Sequence, residues 1–471
     1  MDVFNFIQSS NMAKILENWD PEDIQQWNSS GKAIAKRNLW ISVAALVLAF
    51  VVWQIWSVII VDLPEIGFKF TESQLFLLAS LPALSGATLR IFYSFAVPVF
   101  GGRKWTVIST ASLLIPLLGI GICIQDPQTS FSTMVFLALL CGFGGGNFSS
   151  SMANISLFFP QKEKGGALGI NAGLGNLGVS LVQFVTPLVI AYSIFGAVAG
   201  DPQQVTKAAQ SVLQWTQNAA YIWIPFVLAV TIAAWFGMND VALTKTPVKE
   251  QLRIFKYKHN WLMCWLYIGT FGSFIGFSAT FPMLTKTAFP EVDAVKYAFL
   301  GPFLGALTRV AGGMVSDKIA ASKVTNISFI IMVAAVVGVI FALPHNGQAG
   351  NFPIYFVCFI LLFVFSGIGN GSVFAQAPRV FSRLFLRQRQ HMPPEKQHVM
   401  QQNAAKETAT IVGFMGAIGA YGGFFIPKAF GSSLEATGSP IHALWGFIAF
   451  YVTCLLVNGW FYMRKSSPTA C

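Results

Sequence analysis

Two arginines, Arg90 and Arg309, lie deep inside long apolar segments, and each closes the same local pattern, Gly-Ala-x-x-Arg. A charged residue at bilayer depth is costly, so it usually faces a cavity or a partner and marks a functional site. Arginine stays protonated at physiological pH and offers a planar fork of donors that suits oxyanions. No carboxylate accompanies the two, so we interpret them as a clamp for a mobile anion. The alternative is that both side chains snorkel to the cytoplasmic interface.

The composition indicates the element that must position these arginines, a membrane-spanning helix. Hydrophobic residues make up 54% of the 471 residues and charged residues only 10%, which is far from soluble-domain averages. Apolar stretches of about 18 residues or more recur, and each can span a bilayer as a helix. Twelve are found, at 39–61, 74–98, 105–124, 131–158, 166–196, 221–239, 259–284, 294–315, 325–343, 352–378, 408–433 and 441–462. The sequence therefore predicts an all-α, multi-pass membrane protein.

The distribution of Lys and Arg predicts the orientation. With the N-terminus inside, the great majority of the 30 basic residues fall on the cytoplasmic side. Five fall outside, namely Lys69, Lys207, Lys286, Lys296 and Lys428. The positive-inside rule therefore places both termini in the cytoplasm. The net charge of +11 is then a topogenic feature and gives no reason to expect nucleic-acid binding. The polar first 38 residues do not resemble a cleavable signal peptide.

The two halves of the chain repeat each other. Gly86-Ala87-x-x-Arg90 matches Gly305-Ala306-x-x-Arg309, and three further pairs follow in the same order: Phe50 with Phe271, Gly142-x-Gly144-x-Gly146 with Gly367-x-Gly369-x-Gly371, and Phe184-x-x-Pro187 with Phe424-x-x-Pro427. Parallel six-helix repeats place the substrate site near the midplane, between the halves. We predict a cytoplasmic segment at 1–38, six-helix bundles at 39–239 and 259–463, a basic linker at 240–258 and a cytoplasmic tail at 464–471.

At this point the chain resembles the major facilitator superfamily. Gly313-Met314-Val315-Ser316-Asp317-Lys318 is similar to the Gly-x-x-x-Asp-Arg/Lys motif of that family, which lies on the cytoplasmic side. The equivalent stretch of the first half departs from the motif, because Pro98 stands where the aspartate would be. The usual salt bridge of the first half is therefore not expected in its family form.

A closer resemblance, to the nitrate/nitrite porters within that superfamily, covers almost the whole chain. The run 165–178, GGALGINAGLGNLG, is similar to the nitrate signature of their fifth helix, and 413–425, GFMGAIGAYGGFF, to the second signature in the eleventh. The resemblance implies that Arg90 and Arg309 bind the substrate anion. It also implies pocket positions for Asn176, Phe50, Phe148, Tyr267 and Phe271, with Asn171 as a weaker candidate.

These residue types suit a flat anion. Such an anion fits between aromatic faces, with its oxygens reaching outward to in-plane donors. Tetrahedral sulfate and phosphate suit that slot less well. Six glycines of the two signatures are assigned to helix packing and gating, since faces without side chains permit close approach and sliding: Gly169, Gly173, Gly175, Gly413, Gly416 and Gly419.

The leading interpretation is a nitrate/nitrite antiporter of the bacterial inner membrane, acting in nitrate assimilation or respiration. Its partners are the two anions and membrane lipids, and we expect it to function as a monomer. Proton-coupled nitrate symport, exchange of another oxyanion such as an organophosphate, and a non-transporting anion receptor stay open as alternatives. The six cysteines and five histidines show no metal-ligand spacing. We therefore expect no metal, no cofactor and no enzymatic activity. The basic segment 379–406 is predicted to be a cytoplasmic loop.

Overall fold

Twelve helices long and apolar enough to cross a membrane dominate the computed structural model. It describes residues 15–207, 210–242, 252–344, 348–390, 407–408, 410–464, 466–467 and 469–471. The helices are α1 (Ile24–Asp62), α2 (Glu72–Tyr93), α3 (Gly102–Cys123), α4 (Phe131–Ser156), α5 (Gln161–Val189), α6 (Asn218–Gly237), α7 (Lys258–Ala288), α8 (Ala294–Lys318), α9 (Ala321–Ala342), α10 (Phe352–Gln390), α11 (Thr410–Thr437) and α12 (Ile441–Met463). The prediction of an all-α membrane protein with twelve spans is confirmed.

Short strands, which the sequence analysis did not predict, lie outside the spans. β1 (Ile15–Leu16) pairs in parallel with β4 (Asp240–Val241), which directly follows α6. β2 (Gln203–Lys207) and β3 (Gln210–Gln214) form a hairpin between α5 and α6. The helix α5 ends at Val189, before the predicted end at residue 196. The Asn218 side chain donates there to the carbonyl oxygens of Val189 and Tyr192, at 3.2 and 2.8 Å, and so satisfies the helix end.

The helix α7 changes its winding where the sequence predicts pocket residues. Its first part runs from Lys258 to Tyr267, and a π-helical turn follows at Ile268–Gly272. Such π-turns often occur at functional sites, because the extra residue re-aims the side chains around it. Tyr267 directly precedes this turn and Phe271 lies within it, so the local winding sets the direction of both rings.

The helix α10 continues well beyond the predicted span. It runs to Gln390, so the prediction of a loop beginning at residue 379 is wrong for 379–390, and 391–406 lie outside the described residues. Arginine, leucine and glutamine are good helix formers, and the polar end of the helix needs no membrane around it. Arg379 contacts the family motif from there, pairing with Asp317 at 2.6 Å and donating to the Ser316 carbonyl oxygen. Lys318, the last residue of α8, is exposed.

The first half also contains an ion pair near its equivalent of the family motif, but the carboxylate comes from outside the motif. Arg103, near the start of α3, pairs with Asp240 at 3.3 Å, and its backbone N–H donates to the same carboxylate at 2.8 Å. Both side chains are nearly buried. The aspartate comes from the strand after α6, so this pair lies within one half. Arg103 thus has a carboxylate partner, although Pro98 stands where the aspartate of the motif would be.

The two halves touch each other on the predicted periplasmic side. Lys286 of α7 pairs with Glu65 at 2.6 Å, and Ser73 of α2 donates to Glu435 of α11 at 2.7 Å. We call these two pairs the outer closure. On the opposite side, a Cβ placed at Gly169 of α5 or Gly413 of α11 would meet no described atom within 4 Å. The two halves are therefore in contact on the predicted periplasmic side, while Gly169 and Gly413 are exposed near the other end of their helices.

Candidate functional site

Arg90 lies three residues before the last residue of α2 and is fully buried. Its Nε donates to the carbonyl oxygen of Gly145 at 2.9 Å, and its Nη1 donates to that of Gly416 at 2.5 Å. Its Nη2 is buried and has no hydrogen-bond partner among the described residues. The snorkelling alternative does not hold for Arg90, because the guanidinium group is enclosed by protein on helices of both halves.

Arg309 occupies the corresponding position on α8 and is only 6% exposed. Its Cζ lies 5.5 Å from the ring centre of Phe374 on α10. The Nη1 of Arg309 is buried without a hydrogen-bond partner in the described part of the chain. Close packing of α8 on α10 fixes its backbone, since a Cβ at Gly371 would come 2.1 Å from the Arg309 carbonyl oxygen. Arg309 does not snorkel either.

Two phenylalanine rings from opposite halves face each other between the arginines. Phe148 of α4 and Phe271 of α7 have ring centres 6.4 Å apart and planes inclined by 27°. The Arg90 Cζ lies 4.7 and 5.2 Å from these two centres, and the Arg309 Cζ lies 5.9 and 6.0 Å from them. Both predicted clamp residues therefore converge on one pair of rings, as the repeat led us to expect.

The remaining predicted aromatic residues support this pair. Tyr267 stacks on Phe271 at 5.3 Å with planes inclined by 19°, and its buried hydroxyl has no hydrogen-bond partner among the residues described. Phe50 contacts Phe148 edge-on at 6.3 Å and is fully buried. Tyr267 thus adds a hydroxyl group beside the rings, close to Arg309. Phe50 packs against Phe148, and no cation–π contact of Phe50 with either guanidinium group is observed among the described residues.

The two asparagines of the first signature behave differently. Asn176 is fully buried, and both atoms of its amide lack partners within the described ranges. It lies one helical turn beyond Gly173, whose Cβ position is 3.2 Å from Val310, the neighbour of Arg309. Asn176 therefore lies on the face of α5 that is directed toward α8. Asn171 instead donates to the Ser151 hydroxyl at 2.8 Å, which is an interhelical contact.

The six predicted glycines do not share one environment. A Cβ at Gly175 would come 2.7 Å from Leu46, and one at Gly419 would come 2.3 Å from the Tyr267 ring, so both positions require glycine for packing. A Cβ at Gly416 would meet Phe148 at 3.6 Å, an ordinary contact. Gly169 and Gly413 are exposed, and a Cβ at either position would meet no described atom within 4 Å. A role of these glycines in gating stays a prediction.

Trp53 of α1 is a site residue that the sequence analysis missed. Its ring centre lies 5.0 Å from the Arg90 Cζ, and its Nε1 donates to the Pro82 carbonyl oxygen at 2.7 Å. A Cβ at Gly86 or at Gly145 would lie 2.6 Å from that Nε1. The indole therefore needs a glycine on each neighbouring helix. Trp53 is three residues from Phe50 and so lies on the same helical face. This spacing was the sequence signal that could have identified it as a site residue.

The assembled site presents more donors than acceptors. Unpartnered donors come from the two guanidinium groups, the Asn176 amide and the Tyr267 hydroxyl. No ion pair observed among the described residues includes Arg90 or Arg309. The described residues also contain no group of three or more His, Cys, Asp or Glu side chains that could hold a metal ion. A buried site of this kind suits a small oxyanion, since a negative charge is what it needs.

Comparison with known proteins agrees with this architecture. The family model of the Major Facilitator Superfamily matches residues 44–427. The "Nitrate/nitrite transporter NarU" of Salmonella typhimurium is 50% identical over 96% of both chains, and that of Escherichia coli is 48% identical over 97% of both. The "Probable nitrate/nitrite antiporter NarK2" of Thermus thermophilus is 38% identical over 97% of this chain and 98% of its own.

A solved structure shows the same fold at low sequence identity. It is a bacterial homologue of the human lysosomal transporter Spinster, described as inward-facing and occupied. It is 13% identical, covers 90% of this chain and 95% of its own, and has a TM-score of 0.61. With the twelve apolar helices, the relatives identify a multi-pass protein of the bacterial inner membrane and a transporter, not an enzyme. The chain belongs to the Major Facilitator Superfamily and, within it, to the nitrate/nitrite porters.

Proposed function

We propose that this protein carries nitrate and nitrite across the membrane and exchanges one anion for the other. The observation that supports this most directly is the convergence of Arg90 and Arg309 on the two facing rings of Phe148 and Phe271. Two permanent positive charges in a buried place require an anion, and the full-length relatives carry nitrate/nitrite transport in their names.

The spacing of the rings supports a planar cargo. The ring centres are 6.4 Å apart, slightly less than the about 7 Å that one flat layer needs with a carbon contact of about 3.5 Å on each side, so a small separation of the rings admits a flat anion. Nitrate and nitrite are flat, and their oxygens would point outward to the guanidinium groups, Asn176 and Tyr267. Tetrahedral sulfate would need a wider separation of the rings. In the proposed clamp, the two arginines attract an anion, and the two rings favour a planar anion over a tetrahedral one.

The charge balance favours exchange over return of the empty carrier. Moving two unpaired guanidinium groups through a closed, dehydrated intermediate carries a large desolvation cost, and a bound anion lowers it. The cargo then acts as the counter-ion of the site, and the carrier changes its open side only when loaded. The outer closure and the position of the site between the two halves support alternating access, in which the halves rock around the fixed site.

Counterflow in proteoliposomes tests the exchange. We expect vesicles loaded with nitrite to take up labelled nitrate many times faster than empty vesicles, whether or not a pH gradient is imposed. Proton-coupled symport predicts the opposite pattern, with uptake into empty vesicles driven by an acidic exterior. Equal uptake by loaded and empty vesicles at matched pH would contradict exchange, and no uptake under any condition would contradict nitrate transport itself.

Trp53→Phe is expected to raise the KM for nitrate about three- to tenfold. Phenylalanine retains a ring beside Arg90, but it loses the hydrogen bond to Pro82 and the stronger attraction of indole for a cation. Initial rates of counterflow against nitrate concentration measure this effect. Trp40→Phe is the matched control, because Trp40 is exposed and its replacement should leave the KM unchanged. A wild-type KM for Trp53→Phe would show that the indole does not position Arg90.

A further inference from the structure

Asn370 is a buried polar residue on α10 and is not among the residues of the proposed clamp. Its side chain is 1% exposed, and both its Oδ1 and its Nδ2 lack a hydrogen-bond partner in the described part of the chain. A buried amide without partners costs free energy on both its donor and its acceptor side. Buried polar groups in native proteins are nearly always paired, so an unpaired one needs an explanation.

The neighbours of Asn370 along α10 show which way it faces. Phe374, one turn later, lies 5.5 Å from the Arg309 Cζ and 6.2 Å from the Tyr267 ring centre. Gly371, the next residue, packs against the Arg309 backbone. Residues four apart share a helical face, so Asn370 lies on the side of α10 that is directed toward α7 and α8. Its helical side chain also tilts back toward the helix N-terminus and away from Phe374.

Comparison of the two halves shows what Asn370 replaces. The glycine pattern of the repeat aligns Asn370 with Gly145, and the alignment of Phe50 with Phe271 carries Trp53 onto Phe274. The packing agrees, since Trp53 lies against Gly86 and Phe274 lies against Gly305, the matching glycine. The first half thus combines a large indole with a glycine, and the second half combines a smaller ring with an amide.

The different side chains at these matched positions give the two halves different hydrogen-bonding groups. In the first half, Trp53 and the Gly145 carbonyl oxygen hold Arg90 in place. In the second half, the corresponding place near Arg309 holds an amide that both accepts and donates hydrogen bonds. The Nη1 of Arg309 and the hydroxyl of Tyr267 are donors that lack an acceptor within the described ranges. An amide oxygen turned toward one of these donors would accept a hydrogen bond from it and leave the amide N–H groups free for another acceptor.

We propose that Asn370 is a further substrate-contacting residue, contributed by the second half. When the anion is bound, its Oδ1 accepts a hydrogen bond from Arg309 and its Nδ2 donates to an oxygen of the anion. In the structure itself, both amide atoms lack partners among the described residues. The inference rests on the proposed nitrate/nitrite transport. Asn176 on α5 and Asn370 on α10 then offer one amide from each half, and the anion is held by matched groups from both sides of the interface.

The test compares Asn370→Leu with the wild-type protein in nitrate and nitrite counterflow. We expect the KM for nitrate to rise about 10- to 100-fold, the range for a lost hydrogen bond to a charged group. Nitrate has one more oxygen than nitrite, so the KM for nitrate should rise more than that for nitrite. A purely structural role would change the amount of folded protein and leave the ratio of the two KM values constant.

Asn260→Leu is the matched control. Asn260 is equally buried, and its amide atoms also lack partners among the residues described, but it lies about 10 Å along α7 from Tyr267. It should lose stability without a change in either KM. Asn370→Asp places a carboxylate beside Arg309 and should reduce exchange at least about a hundredfold, because it occupies the clamp in place of the anion.

The outcomes separate the two proposals. Absence of nitrate–nitrite counterflow by the wild-type protein would overturn the proposed function. Normal wild-type counterflow together with wild-type KM values for Asn370→Leu would overturn the role of Asn370 alone. A fall in yield of Asn370→Leu with an unchanged ratio of KM values in the folded fraction would likewise overturn it.

Discussion

Replacing Arg309 with lysine is expected to lower the kcat/KM of nitrate exchange about 100-fold or more. Lysine keeps the charge but presents a compact ammonium group, which cannot form two parallel hydrogen bonds to a flat oxyanion. Truncating a hydrogen-bonded charge contact in a buried place costs about 2–5 kcal/mol. Arg309 suits this test better than Arg90, because fewer contacts of Arg309 with the surrounding protein would be lost with the guanidinium group.

Counterflow with purified protein measures this change, and Arg253→Lys provides the control. Arg253 is 64% exposed and contacts Glu407 at 3.7 Å, so its replacement should leave exchange unchanged. Wild-type kinetics for Arg309→Lys would contradict the clamp, since a point charge would then suffice. Arg90→Lys is expected to be at least as severe, because it also loses the bonds to Gly145 and Gly416.

The arginine pair shows how far sequence reasoning reaches in this protein. A charge in an apolar segment is visible in the sequence because the cost of burying it is general, and its repetition in both halves predicts a shared axis. The structure places both guanidinium groups by the same two rings, as that argument requires. The twelve spans were also predictable, because a helix that crosses a bilayer must be long enough and apolar enough, and both properties are visible in the sequence.

The residues that support the arginines could not be predicted in this way. Trp53 matters because Gly86 and Gly145 on two other helices leave space for its indole, which is a property of interhelical packing. Asn370 is one of several buried amides in the described chain, and the contacts of its helix neighbours Gly371 and Phe374 show which way it faces. The extension of α10 to Gln390 was missed because a hydropathy criterion ends a helix where its polar residues begin.

Locking the outer closure is expected to abolish exchange. Ser73 and Glu435 contact each other at 2.7 Å across the two halves, and a Cβ at Gly431, one turn from Glu435, would lie 3.3 Å from the Ser73 carbonyl oxygen. Alternating access requires α2 and α11 to separate there before an anion can enter from the predicted periplasmic side. A covalent bridge between Ser73→Cys and Glu435→Cys therefore holds the carrier open on one side only, and exchange needs both.

The experiment treats the double-cysteine variant, in a background lacking the six native cysteines, with a short bis-methanethiosulfonate reagent. Counterflow should fall by more than about 90%, since each bridged molecule is fully blocked, and a thiol reductant should restore it. The two single-cysteine variants control for simple modification and should retain exchange after the same treatment. Binding of nitrate from the open side should persist in the bridged protein, because the bridge leaves Arg90 and Arg309 untouched. Full exchange by a carrier shown to be bridged would mean that these helix ends do not separate during transport, and the rocking of the two halves would have to be abandoned.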